Sequence, residues 1–183
     1  MSSFTYDWFT PQVPVLDVHV PRVLGKVLEV GCFEGRSTLW FLERDVECEV
    51  TVIDHFRGGA DHAGLALGDV YNRFKSNVAQ HMPRVKMLIG NTWDVWSAVD
   101  NEAYDFVYVD GSHRRGDVLY DAVNALRVCK VGGVIAFDDY EWGQPGEDRP
   151  HDAISFWMDT YAKCLEPVHI EYHAIVRKIC SQY

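Results

Sequence analysis

Polar side chains able to bind or react follow short apolar runs at five places in this 183-residue chain. These polar groups lie at 31–35, 54–55, 90–92, 110–113 and 138–139. Clustered carboxylates can hold hydroxyls or a cation, and a histidine can take a proton near neutral pH. If the apolar runs are parallel strands of one sheet, their carboxyl ends share one edge and these groups form a single site.

Seven apolar runs rich in Val and Ile are predicted to be strands, at 26–30, 49–53, 85–89, 104–109, 133–137, 167–171 and 174–179. Between several of them, apolar residues recur with helical period, most clearly around 119–126 and 154–161 and more weakly at 70–78. The central runs are apolar throughout, which is typical of strands covered on both faces. The pattern predicts an α/β fold with a doubly wound Rossmann-like sheet and a terminal antiparallel hairpin.

Length and composition favour one domain over 1–183, in which 1–25, containing three prolines, is an extended lead-in that packs on the sheet or caps the site. The net charge of −10 argues against a nucleic-acid partner and favours a small or neutral one. No apolar run reaches the roughly 18–20 residues of a membrane span, and we expect a cytoplasmic location. The five cysteines form no CxxC pair and are expected to be free, buried thiols in a reducing compartment.

The turn after the first strand, 29–35, has two glycines but places Phe33 where a pyrophosphate site needs a third. Its last glycine is followed by Arg36 instead of the lysine of a phosphate-binding P-loop. Glu29 and Glu34 oppose a phosphate and suit an ammonium or sulfonium ligand. Asp54, at the end of the second strand, is placed to accept the hydroxyls of a ribose. The alternative is a glycine turn that serves only strand–helix packing.

Three carboxylates, Asp110, Asp138 and Asp139, follow the fourth and fifth strands, which are neighbours in such a sheet. Close carboxylates repel unless a cation neutralises them, and oxygen ligands suit Mg²⁺. Alternatively, Asp110 makes a turn and caps the next helix, and one of the other two is a solvated loop acid.

His113 lies three residues after Asp110, in the turn that opens the next helix. A neutral imidazole there could act as a general base. The other interpretation is an exposed histidine at a helix start.

Four stretches resemble the motifs of class I S-adenosylmethionine (SAM)-dependent methyltransferases. The stretch 27–38 resembles the first motif, and 52–56, 105–113 and 132–140 resemble the second-, fourth- and fifth-strand motifs. More narrowly, the chain is similar to the small family that includes macrolide-sugar O-methyltransferases. The similarity runs in order from about Leu24 to Ile179.

The resemblance implies strand order 3-2-1-4-5-7-6 with the last strand antiparallel, and a cofactor laid along the first three strand ends. Glu29, Gly31 and Gly35 would then line the methionine portion, Asp54 the ribose, and 91–93 the adenine. The full expected cofactor set is Glu29, Gly31, Cys32, Phe33, Gly35, Ser37, Asp54, His55, Asn91, Thr92, Trp93 and Asp110. In that family, the positions of Asp110, Asp138 and Asp139 hold Mg²⁺, although Asp138 is often Glu, and the position of His113 carries the catalytic base.

The resulting hypothesis is Mg²⁺-assisted O-methylation of a small molecule or sugar by SAM. Asp110 and His113 would be catalytic, with an acceptor pocket formed by loops 55–68 and 140–151, including Trp142. The short chain suits an acceptor site completed across a homo-oligomer. The alternatives are a metal-independent N-, C- or carboxylate methyltransferase, an NAD-dependent oxidoreductase, which Phe33 opposes, and a cofactor-binding domain without turnover. No feature identifies the acceptor.

Overall fold

A computed structural model describes residues 2–59 and 62–181. Within them, seven strands form one sheet in the order β3-β2-β1-β4-β5-β7-β6, which confirms the predicted topology. The strands are β1 Lys26–Val30, β2 Glu49–Asp54, β3 Val85–Ile89, β4 Tyr104–Val109, β5 Cys129–Phe137, β6 Leu165–Ile170 and β7 Ala174–Lys178. β1 to β5 are parallel, and β7 runs antiparallel to both β5 and β6.

Six α-helices lie in the described residues, and short 3₁₀ turns extend several of them. They are α1 Val13–His19, α2 Arg36–Arg44, α3 Val70–Asn77, α4 Thr92–Val95, α5 Arg115–Val128 and α6 Pro150–Thr160. None of the helices described is long and apolar enough to cross a bilayer.

Alternate residues of each central strand enter separate hydrophobic clusters on the two faces of the sheet. On β4, Val107 and Val109 join the cluster that includes α5 and α6, while Phe106 and Tyr108 join the cluster that includes α1, α2 and α3. Both faces are therefore buried, as the uniformly apolar strands predict. Successive residues after a strand tend to continue this alternation, so neighbouring side chains point to opposite faces.

The N-terminal lead-in differs from the extended segment expected. Residues 13–19 form α1, whose first turn accommodates Pro14 because a proline there loses no helical hydrogen bond. Leu16 is fully buried in the core. The segment before α1 lines the cleft described below, and its expected role in capping the site stays a prediction.

The cysteines also depart in part from expectation. Cys32, Cys48 and Cys129 are free and buried as predicted. Cys164 and Cys180 instead form a disulfide, with their Cα atoms 4.8 Å apart. This pair was missed because the β6–β7 hairpin brings the end of the chain back beside Cys164, and the backbone N–H of Ile179 donates to its carbonyl at 2.8 Å.

Candidate active site

A cleft of about 1100 Å³ opens at the carboxyl ends of the parallel strands. The five turns singled out in the sequence all contribute to it, at 31–34, 54–56, 90–92, 110–114 and 138–139. Further walls come from 6–9 at the N-terminus and from Trp142, Glu147, Asp148 and Tyr172. A parallel sheet places ligands at this edge, because its strands all end there.

The glycine turn packs directly against the end of β4. Gly31 has φ +80°, and a Cβ atom at this position would lie 1.9 Å from the carbonyl oxygen of Asp110. Its N–H donates to Ile53 O at 2.9 Å, while the N–H of Asp110 donates to Val30 O at 2.8 Å. Gly35, also at positive φ, is the N-cap of α2 and does not line the cleft. The turn therefore has a packing role in addition to facing the cleft.

Asp54 is tied to the glycine turn by backbone hydrogen bonds. Its Oδ2 accepts the N–H groups of Cys32 and Phe33, each at 2.9 Å, and its Oδ1 accepts that of Phe56 at 2.6 Å. A carboxylate oxygen can accept two hydrogen bonds, so Oδ1 retains capacity for one ribose hydroxyl. Oδ2 already accepts two backbone N–H groups, and the contact of Asp54 with a ribose stays a prediction.

Glu29 does not face the cleft as expected. It is fully buried, and its carboxylate accepts hydrogen bonds from the hydroxyls of Ser37 and, at 2.5 Å, Thr38. Burial raises the pKa of Glu29 to about 7 against the effect of these hydroxyls. Glu29 joins β1 to the start of α2. Ser37 lines the cleft beside it.

The turn after β3 contributes Asn91 and Thr92 to the cleft, and their place beside an adenine stays a prediction. Trp93 does not line it. Its ring stacks on Tyr120 of α5 with centroids 3.9 Å apart, and its Nε1 donates to Asp117 at 2.8 Å. The helical turn that begins at Thr92 points this side chain toward α5 and away from the ligand space.

Asp110, His113 and Asp139 converge at the centre of the cleft. One potential ligand atom from each residue lies within 4.8 Å of the other two. In the described residues, these three side chains form a group that could hold a metal ion. Burial and then the charges of Asp138 and Asp139 raise the pKa of Asp110 well above its usual value. A cation or a shared proton would relieve this repulsion.

The His113 ring is held by Asp139 and by an aromatic neighbour. Its Nε2 lies 2.9 Å from Asp139 Oδ2, and its centroid is 4.4 Å from that of Trp142. The Tyr172 hydroxyl donates to the other oxygen of Asp139 at 3.0 Å. Burial alone would raise the pKa of Asp139, but the hydrogen bond and charge of His113, together with Tyr172, lower it below its usual value. The arrangement suits a carboxylate that orients an imidazole.

Asp138 is separated from this group, although it was expected to share a metal with Asp110 and Asp139. Its Oδ1 lies 3.2 Å from Nε2 of buried His173, yet within the described residues this oxygen makes no hydrogen bond. Like Val134 and Ala136, it follows the face of β5 that packs toward α2, whereas Asp139 follows the opposite face. Burial raises the pKa of Asp138.

Several cleft residues were missed in the sequence. Tyr172 comes from the β6–β7 turn, while Asp7 and Trp8 come from the segment before α1. These side chains carry no motif, and only the folding of distant segments brings them to the cleft. The acidic and aromatic character of 4–9 was the one available signal.

The fold and the cleft together define a class I methyltransferase architecture, and comparison with known proteins agrees. The family described as "Methyltransferase domain" matches residues 28–140, which is more than half of the chain. The chain therefore belongs to this methyltransferase family. The NAD-dependent oxidoreductase alternative finds no support in this result.

Solved structures with the same fold include O-methyltransferase TomG of Streptomyces achromogenes, involved in tomaymycin synthesis and solved with SAM. It is 16% identical with a TM-score of 0.70, covering 93% of this chain and 80% of its own. An O-methyltransferase of Bacillus cereus, solved with S-adenosylhomocysteine (SAH), is 18% identical with a TM-score of 0.68, covering 96% and 84%. An uncharacterized protein of Sinorhizobium fredii is 24% identical over 125 residues, which are 66% of this chain and 14% of that protein.

Proposed function

We propose that this chain transfers the methyl group of SAM to a hydroxyl oxygen of a small-molecule or sugar acceptor. The observation that carries the proposal is the convergence of Asp110, His113 and Asp139 in the same cleft as the glycine turn. A site for a methyl donor and a group able to deprotonate an acceptor thus lie side by side. The SAM and SAH held by structural neighbours support the choice of cofactor.

The cofactor would lie along the ends of β1, β2 and β3. The turn 31–34 would contact its methionine and sulfonium portion, and Asp54 Oδ1 would accept one ribose hydroxyl. Asn91 and Thr92 would border the adenine. This placement leaves the space near Trp142 and Tyr172 for the acceptor.

The acidic residues fit a divalent cation. Asp110 and Asp139 offer carboxylate oxygens within 4.8 Å of each other, and mutual repulsion raises the pKa of Asp110. Mg²⁺ prefers such oxygen donors, and a bound ion would lower the pKa of an acceptor hydroxyl. We propose Asp110 and Asp139 as its ligands, because Asp138 lies outside the group of side chains that converge.

The protein's own residues would align the acceptor and take its proton. His113 is the proposed base, and Asp139 holds its ring and stabilises the imidazolium that forms. Trp142 packs against the same ring and restricts its rotation. Because the sulfonium is already reactive, positioning the acceptor oxygen in line with the methyl group would supply most of the rate enhancement.

One observation favours a second candidate, methyl transfer without a metal. The hydrogen bond between His113 and Asp139 forms a carboxylate–imidazole pair that requires no ion to orient the base. Such a pair could serve oxygen or nitrogen acceptors. Chelation separates the two candidates, because only the first loses activity when the ion is removed.

The test begins with binding and proceeds to turnover. SAH binding is measured by calorimetry, and pooled diols, sugars and phenols are screened for methylation by mass spectrometry, with Mg²⁺ or with EDTA. For any acceptor found, we expect His113→Ala to lower kcat by about 10²–10⁴-fold. His151→Ala is the matched control, because this histidine does not line the cleft.

The outcomes distinguish the parts of the proposal. Full activity in EDTA and in Asp110→Asn would contradict the proposed role of the metal ion. Unchanged turnover in His113→Ala near neutral pH would contradict the assignment of His113 as the base. A protein that binds SAH but methylates no acceptor would support a binding domain without turnover.

A further inference from the structure

An ion pair of opposite charges lies in the cleft wall beside the glycine turn. Arg36 is the first residue of α2, and its Nη2 lies 3.4 Å from Asp7 Oδ2. The two side chains are 42% and 43% exposed, so both can reach a ligand. The turn itself ends at Gly35, whose missing side chain leaves the positive N-terminal end of α2 without a side-chain cap.

Contacts from the N-terminal segment hold Arg36 in place. Its Nη2 donates to Thr10 Oγ1 at 2.6 Å and its Nε donates to the same oxygen at 3.1 Å. Its guanidinium lies 4.9 Å from the centre of the Phe4 ring. The arginine is therefore partly ordered before any ligand arrives, which lowers the entropic cost of binding.

Asp7 is positioned by anchors on both sides along the chain. The N–H of Thr5 donates to Glu34 Oε2 at 2.6 Å, which fixes the segment to the glycine turn. The Trp8 ring stacks on His62 and contacts Phe33, each at a centroid distance of 5.1 Å. These contacts press residues 5–8 onto the end of β1 and bring Asp7 to the cleft.

In the proposed placement, the amino-acid end of SAM would require two counter-charges at this end of the cleft. The amino-acid portion of SAM carries an α-carboxylate and an α-ammonium. Glu29 cannot supply the acid, because it is fully buried and committed to Ser37 and Thr38. Arg36 and Asp7 supply one charge of each sign in the lining of the cleft.

We infer that the Arg36–Asp7 pair binds the amino-acid end of the cofactor, Arg36 the carboxylate and Asp7 the ammonium. This inference rests on the proposed function. It makes the N-terminal segment a part of the cofactor site, and it explains why that segment is attached to the glycine turn at several points. Arginine is suited to this task because its planar donors match a carboxylate.

The experiment compares two ligands that differ only at the end in question. SAH carries the amino-acid portion, whereas 5′-methylthioadenosine retains the nucleoside and sulfur but lacks both charges. In Asp7→Asn and in Arg36→Gln, we expect the Kd for SAH to rise about tenfold or more. The Kd for 5′-methylthioadenosine should stay within about twofold of wild type.

A matched control is an exposed pair far from the cleft. Arg177 Nη1 lies 3.2 Å from Glu166 Oε2 between β7 and β6, with side chains 46% and 54% exposed. Arg177→Gln should leave both ligand affinities unchanged. Exposed pairs contribute little to stability, so all three variants should fold, which circular dichroism checks.

The results that would overturn the inference differ from those that would overturn the proposed function. If both ligands weaken equally in Asp7→Asn and Arg36→Gln, or if neither weakens, the pair does not bind the amino-acid end. If the wild-type protein binds neither ligand, the proposed function fails and the inference fails with it.

Discussion

Replacing Gly31 by alanine would test the contact between the glycine turn and β4. Gly31 has φ +80°, and an added Cβ would lie 1.9 Å from the carbonyl oxygen and 2.6 Å from the carbonyl carbon of Asp110. Both are backbone atoms, so no side chain can rotate aside. The hydrogen bond from Asp110 N to Val30 O, at 2.8 Å, lies in the strand pairing that would have to move.

The expected loss of stability has two parts. A left-handed backbone costs an alanine about 1–2 kcal/mol. Forcing an extra methyl group into packed backbone costs typically about 1–3 kcal/mol more. We therefore expect Gly31→Ala to lower the free energy of unfolding by about 2–5 kcal/mol and to abolish measurable SAH binding, because the turn and Asp110 both line the cleft.

Substitutions of two other glycines allow the backbone strain and the steric cost to be measured separately. Gly132 has φ +87° with nothing within 4 Å of an added Cβ, so Gly132→Ala measures backbone strain alone. Gly116 lies in α5 with open space and no positive φ, so Gly116→Ala should be neutral or stabilise the protein by up to about 1 kcal/mol. Urea unfolding at fixed pH gives the three stabilities, and calorimetry gives SAH binding.

Gly31→Ala must lose more stability than Gly132→Ala; an equal loss would show that the steric cost is absent. Wild-type affinity of Gly31→Ala for SAH would also contradict the prediction, because the turn would then tolerate a displacement that should disrupt the site.

Two further predictions concern a buried carboxyl group of α5 and the disulfide. Burial raises the pKa of Asp121 to about 7 despite hydrogen bonds from Trp96 and Thr92, so the folded state holds a proton that the unfolded state releases near pH 4. Stability should therefore fall as pH rises from about 4 to 7, and Asp121→Asn should make this fall less steep in urea unfolding; an unchanged slope would contradict the assignment. Reduction of the Cys164–Cys180 disulfide, which closes a loop of 16 residues, should lower stability by about 3 kcal/mol. Equal unfolding midpoints with and without dithiothreitol would show that the bond does not form, and Cys164→Ser, which should not respond to the reductant, is the control.

The fold was predictable because its signals are local. Uniformly apolar runs such as those of β1 and β4 predict strands. The turns between them carry glycines and acids in motifs only a few residues long. In a parallel sheet these turns necessarily meet at one edge. The sequence therefore predicts that one cleft holds the glycine turn, Asp54, Asp110 and His113.

The direction of individual side chains was not predictable to the same degree. Glu29 carries the right chemistry in the right motif, yet it is fully buried and does not line the cleft. Asp138 lines the cleft but lies outside the group formed by Asp110, His113 and Asp139. Asp139, one residue later, enters the cleft and holds His113. Side chains alternate between faces along a strand, so a shift of one residue decides whether a carboxylate meets the ligand or the core.

The order of the elements, the family and the edge of the sheet where the cleft lies follow from short-range patterns in the sequence. The groups contributed by distant segments depend instead on the packing of the complete fold. Asp7 reaches Arg36 across 29 residues, and Tyr172 reaches Asp139 across 33. No local pattern encodes such contacts, since they depend on how the N-terminal segment and the last hairpin pack against the completed sheet.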